Sequence, residues 1–253
     1  MGNTNTYLKY GWKPSLPDNR DLTCQYDITD DLNSIDLRIK CSSIYDQGKL
    51  GSCTANAILS AYKYDEINQQ GHINFEPSRL FLYYNERQME GKTEFDSGAS
   101  IRDGIKSLNK IGVCSEDKWP YNISYFKYKP TQDCYTEAKG HGSLQYKRLI
   151  QDIDQFKECL KSGFPFVFGF SVYESFESEN VAKTGIMKIP TENERVLGGH
   201  AVMCVGYNDD NKTFIIMNSW GEDWGDNGYF YMPYDYIKNN NFANDFWTIS
   251  KIK

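Results

Sequence analysis

The chain has 253 residues, a net charge of −6, 40% hydrophobic and 25% charged residues, and no biased tract. That length can bury the core of one large domain or two small ones, and the composition excludes a disordered polymer. The acidic balance argues against nucleic acid or an anionic membrane as a partner. The 19 Tyr and 14 Phe are not interleaved with basic residues, so they read as packing.

Residues 1–34 are polar, with Pro14, Pro17 and two acidic clusters, and read as an extended arm. Met1 to Thr6 matches the short N-myristoylation pattern at Gly2, but no polybasic cluster follows and one acyl chain binds membranes only marginally. No signal core or membrane-spanning run is present. Seven widely spaced cysteines without a CxxC fit a cytoplasmic or other reducing compartment.

From Ile35 to Ile39 apolar and polar residues alternate, which predicts a short strand. A helix is expected from about Ser52, the N-cap, to Gln70, where Gly71 stops it. Further helices are expected after Pro77-Ser78-Arg79, over Ile101 to Lys110, and from Gln151 to about Gly163. In the first of these, Leu80, Leu82, Tyr83 and Met89 are available for burial. The stretch from Trp119 to about Gly142 is polar and turn-rich. Short β-branched or aromatic runs follow at 164–172, 185–189, 201–206, 213–217, 229–232 and 246–249. Helices first and strands later predict an α+β fold.

Cys53 falls in the first turn of the expected helix, where free N–H groups and the helix dipole favour a thiolate. Alone, such a cysteine is more often a buried core residue. Among three histidines, His72 and His141 sit in turn-like contexts, whereas His200 opens an apolar strand behind Gly198 and Gly199. Asn218 follows eighteen residues later. Together they supply a nucleophile, a base and an orienting amide.

With Gln47-Gly48, Gly51-Ser52-Cys53, Gly199-His200-Ala201 and Asn218-Ser219-Trp220-Gly221 in that order, followed by Trp224-Gly225 and Gly228-Tyr229, the chain resembles the papain family of cysteine peptidases. His200 stands 147 positions after Cys53, inside the family spacing. The resemblance runs from about Ile35 to the C-terminus. It implies a two-lobed α+β fold: a helical lobe (about 45–145) carrying the Cys53 helix against an antiparallel, barrel-like β lobe (about 146–253). Residues 1–34 would form a strap or a short plug.

The resemblance further implies Cys53 as nucleophile, His200 as general base and acid, Asn218 as the amide orienting the ring beneath Trp220, and Gln47 with the Cys53 N–H as oxyanion hole. Ser97, Gly98, Gly199 and Trp220 would line the substrate cleft. Asn244 or Asp245 would sit in the pocket for the second residue before the cut, where an acid favours basic side chains. The reaction needs no cofactor or metal. The partners implied are a polypeptide substrate and a proteinaceous inhibitor, and the absence of paired histidines of an occluding loop favours an endopeptidase. The alternatives are a peptide-binding pseudo-peptidase and a transpeptidase or deamidase using the same triad. Two departures stand out: Leu50 replaces a commonly disulfide-bonded cysteine, and Thr54 replaces an aromatic residue.

Overall fold

The computed structural model describes residues 10–29, 32–72, 75–142 and 144–251. The acylation pattern at Gly2 lies outside them. Among the described residues no helix is long and apolar enough to cross a membrane.

The long helix α1 (Cys53–Gln70) forms the centre, and every side chain from Cys53 to Glu66 is buried. A helix covered on all sides needs no single apolar stripe, which is why this one is legible by its ends and its alanines and not by periodicity. Gly71 ends it in the left-handed conformation, φ +79°, as the sequence suggests. Helices α2 (Arg79–Met89) and α3 (Ile101–Ile111) pack beside it, capped by the Ser78 and Ser100 hydroxyls. Met89, expected inside, is half exposed at the last turn of α2. Helix α4 (Gln132–Ala138) lies in the stretch that reads as turns. Its seven residues are too few for an amphipathic pattern to show.

The sheet comprises β1 (Thr23–Cys24), β2 (Ser34–Asp36), β3 (Leu144–Leu149), β4 (Phe166–Tyr173), β5 (Val196–Asn208), β6 (Thr213–Met217), β7 (Tyr229–Pro233) and β8 (Ala243–Lys251). The order is β1-β3-β8-β4-β5-β6-β7, with β2 paired to β5. The run 185–189 contributes only an isolated bridge between Ile186 and Tyr231. The strand read at 35–39 ends at Asp36 and turns into a single 3-10 turn. Helices α5 (Ile153–Lys161), α6 (Glu179–Thr184) and α7 (Tyr234–Ile237) complete the chain.

Strand alternation divides β5 between two cores. Ala201, Met203 and Val205 join the core around α1. Val202 and Cys204 join a second core, rich in phenylalanine, with α5. His200 is on the face of Val202 and Cys204, in the first half of β5, next to Ala201, whose N–H reaches Cys53 at the start of α1. All seven cysteines are free thiols.

The arm wraps the molecule. Tyr10–Ser15 crosses the start of α1, β1 pairs with β3, and Tyr26 and Thr29 bind the side chains of Gln155 and Glu158. Then β2 pairs with β5.

Candidate active site

Cys53 and His200 are both fully buried. Ser52 precedes α1, but its hydroxyl does not cap the first turn: it pairs with the Tyr121 hydroxyl and accepts a bond from Asn56 Nδ2 at 3.0 Å. The first-turn N–H groups are thus left to whatever lies over the helix start. The approach is anchored by Asp96, which accepts from the Gly51 N–H at 3.0 Å.

His200 Nε2 lies 2.8 Å from Asn218 Oδ1, and the Ser219 N–H donates to the same oxygen at 2.8 Å. An amide oxygen only accepts, so Nε2 carries the ring proton and Nδ1 is left with its lone pair. Nδ1 is buried without a partner, as are Asn218 Nδ2 and Trp220 Nε1. Trp220 stacks on the imidazole with centroids 4.9 Å apart, and Phe170 meets it edge-on.

Gln47 ties this loop to the Cys53 side. Its N–H donates to Ser219 O at 2.9 Å, its Oε1 accepts from the Ser219 hydroxyl at 2.7 Å, and its Nε2 donates to Leu50 O at 2.9 Å. Gly48 makes the tight turn with φ +59°. Arg79 braces the loop from behind. Its guanidinium lies between the rings of Tyr45 and Tyr121, at 4.3 and 3.9 Å, and donates to Asp46 O at 3.2 Å. Tyr121 in turn donates to Gln47 O at 2.9 Å.

The arm fills the space between the two sides. The Trp12 N–H donates to Gly199 O, the Ala99 N–H donates to Gly11 O, and the Lys13 N–H donates to Ala99 O, at 3.0, 2.8 and 3.0 Å. A Cβ on Gly98 would stand 1.9 Å from Gly11 O, and one on Gly169 would stand 1.8 Å from the Trp12 ring. Glycine is required at both of these close approaches, one by backbone and one by the indole ring. The Trp12 indole N–H points at Asp245 Oδ2 at 3.3 Å, and Ser15 binds the same oxygen through its N–H and hydroxyl. Tyr10 lies beside His200 and Trp220 and bonds to Glu177.

Burial under the arm has an electrostatic consequence. It pushes the Cys53 thiol up to about 11, although N–H groups of Ala201, Gly11 and Thr54 pull it partly back. Burial also pushes the His200 imidazole down to about 4, against the Asn218 bond. At neutral pH both groups are therefore uncharged in the covered site.

The structure brings Gln47, Cys53, His200, Asn218 and Trp220 into one cluster, with Gly98, Gly199 and Asp245 along the arm. The Ser97 hydroxyl turns back to Gly98 O at 3.0 Å. Asn244 lines a surface depression with Thr23, Arg148 and Gln151, and Asp245 borders it too. His72 is exposed, and His141 packs on Phe75 away from the cluster. Among the described residues no group of three or more His, Cys, Asp or Glu could hold a metal ion. Sequence reasoning missed Tyr10, Gly11 and Trp12, the Arg79 brace and the Ser219 link. Only Ser219 carried a signal, through its place between Asn218 and Trp220.

Residues 32–248 match the family model described as papain family cysteine protease. An uncharacterised peptidase C1-like protein of Acanthamoeba polyphaga mimivirus is 47% identical over all of this chain and 90% of its own length. The crystal structure of xylellain, a cysteine protease from Xylella fastidiosa, superimposes with a TM-score of 0.92, 44% identity and 96% coverage of both chains. A digestive procathepsin L 3 of Tenebrio molitor shares the fold at 19% identity and a TM-score of 0.69, over 91% of this chain and 74% of its own. The chain belongs to the papain family of cysteine proteases.

Proposed function

We propose that the chain is an endopeptidase whose nucleophile is Cys53 and whose cleft is closed at rest by residues 10–15. The observation that carries this reading is the 2.8 Å bond from His200 Nε2 to Asn218 Oδ1, which leaves Nδ1 buried and unpaired. In an open, hydrated cleft the thiol proton moves to Nδ1, and the thiolate attacks the peptide carbonyl carbon. The oxyanion is stabilised by the Cys53 N–H and the Gln47 side-chain amide. His200 gives its proton to the leaving amine, then takes one from the water that cleaves the thioester. Asn218 holds the ring throughout without adding a negative charge beside the thiolate.

The pocket that Trp12 fills has Asp245 at its end, fixed by a 2.7 Å bond from the Trp247 indole N–H. A buried carboxylate there suits substrate side chains ending in a donor or a cation. The Trp12 indole N–H stands in for such a tip.

The test is a mixed peptide library with products read by mass spectrometry, comparing the native chain with Cys53→Ala. New termini made by the native chain and absent with Cys53→Ala support the reading; cleavage that survives the substitution overturns it. Ligated products in place of new termini would assign acyl transfer instead.

A further inference from the structure

Behind the first turn of α1 lies a carboxyl group that the reaction above does not use. Glu86 of α2 has no exposed surface. Its Oε1 accepts from the Thr54 hydroxyl at 2.6 Å, and its Oε2 has no hydrogen-bond partner. Space for it is made by Gly104 of α3, where a Cβ would stand 2.5 Å from Oε2 and 2.4 Å from Ile58 Cδ1. A buried carboxylate ordinarily comes with a cation or several donors. Glu86 has one hydroxyl.

The charged neighbours do not neutralise it. Arg87, next in α2, directs its guanidinium to the carbonyl oxygens of Thr93, Phe95 and Phe126. Glu90 pairs with Lys13 and Asp103 with the Ser100 hydroxyl, and both acids disfavour a second negative charge nearby. On α1 the groups facing Glu86 are Thr54 and, through one residue, Cys53.

We propose that Glu86 is a positioning residue for the nucleophile: a buried acid, neutral at pH 7, that holds the first turn of α1 through Thr54 and whose ionisation disfavours the Cys53 thiolate. The inference deepens the peptidase reading by giving Thr54 a role where relatives commonly place an aromatic. Burial agrees with it, pushing the Glu86 carboxyl up to about 8, against the Thr54 bond and the Arg87 charge. Glu86 is in turn among the groups that raise the Cys53 thiol.

The sign follows from linkage. The folded chain keeps a proton on Glu86 that the unfolded chain loses, so stability falls as pH rises from the ordinary carboxylate range to about 8 and is flat beyond. Glu86→Gln keeps an oxygen for Thr54 and removes this dependence. The melting temperature of the full-length variant, minus that of the native chain, should therefore increase steadily from pH 5 to 8. Parallel curves would mean that Glu86 ionises normally and would overturn the proposal.

Coupling to Cys53 is read by alkylation with iodoacetamide at pH 9 to 10, with the modified cysteine located by peptide mapping. Since the thiol titrates above Glu86, Glu86→Gln should speed modification of Cys53 about threefold or more without speeding that of Cys24 or Cys41. Equal rates would remove the coupling. If Glu86→Gln does not fold, Thr54→Val serves: losing the hydroxyl should carry the pH-dependent loss of stability to higher pH, and an unchanged curve would overturn the proposal. Neither measurement requires turnover, so a chain that cleaves no peptide refutes the peptidase reading and leaves Glu86 to be decided separately.

Discussion

The arm is one continuous segment with two kinds of attachment. Residues 10–15 enter a cleft where the backbone itself is gripped, at Gly199 and Ala99, and where one large side chain, Trp12, is 7% exposed. Residues 18–29 and 32–36 lie on the outside, held at separate points by Arg102 on Asp21, Gln155 on Tyr26, Glu158 on Thr29 and the pairing of β2 with β5. The inner contact is concentrated and covers Cys53 and His200; the outer one is distributed and covers nothing chemical. Changes to the inner part should therefore act on activity, and changes to the outer part on stability.

The largest effect is expected at the crossing point. A Cβ on Gly11 would stand 1.8 Å from Gly51 O, a fixed backbone atom, so Gly11→Val cannot seat in the cleft and should abolish latency. Trp12→Ala is the graded version. Truncating a buried tryptophan removes on the order of 3 kcal/mol, which raises the open fraction about 100-fold until opening is complete. Peptide turnover by the full-length variants, titrated against active thiol, measures both. Rates equal to the native chain would make the inner segment a strap as well.

Next in size is the outer attachment. Glu158 accepts from the Thr29 N–H and hydroxyl at 2.9 Å each and pairs with Lys161. Burial opposes its charge, yet the bonds from Lys161 and Thr29 hold the carboxyl below its usual range. That contribution is present above the ordinary carboxylate range and is lost as pH falls through the lowered value. Glu158→Gln should cost about 1–2 kcal/mol at pH 7, roughly 2–8 °C in melting temperature, and progressively less as pH falls through the lowered carboxyl value. Turnover should not change; a rise comparable to that of Trp12→Ala would erase the distinction between the two halves.

The difference also explains what the sequence made legible. Gln47, Cys53, His200 and Asn218, the candidate site, could be singled out because the chemistry proposed for them fixes residue type and order, and α1 because Gly71 ends it. The inner segment could not be read, since its seat is made by Gly98, Gly169 and Gly199, as much as 189 positions away. Thr54 read as a missing aromatic, but its hydroxyl has a buried acceptor on another helix, a relation that no local pattern encodes. Short elements such as α4 left no periodicity to find.

The smallest effect is expected from pH, and its smallness is informative. Covered, the pair is a neutral thiol and a neutral imidazole, with the thiol near 11 and the ring near 4. Open, in the proposed mechanism, the same proton sits on His200 and the charge on Cys53. Opening moves a proton from sulfur to nitrogen but neither takes one up nor releases one. By linkage, an equilibrium between states with equal proton counts does not vary with pH. Latency, measured as the ratio of native to Gly11→Val turnover, should therefore change less than about twofold between pH 6 and 8. The pair does act on overall stability, because the unfolded chain protonates the ring near 6.5 and the folded chain does not until about 4. Stability should then fall as pH drops through that window while latency near neutrality holds. A latency ratio that changes tenfold between pH 6 and 8 would mean that another titrating group, and not the displaced proton, governs the inner segment.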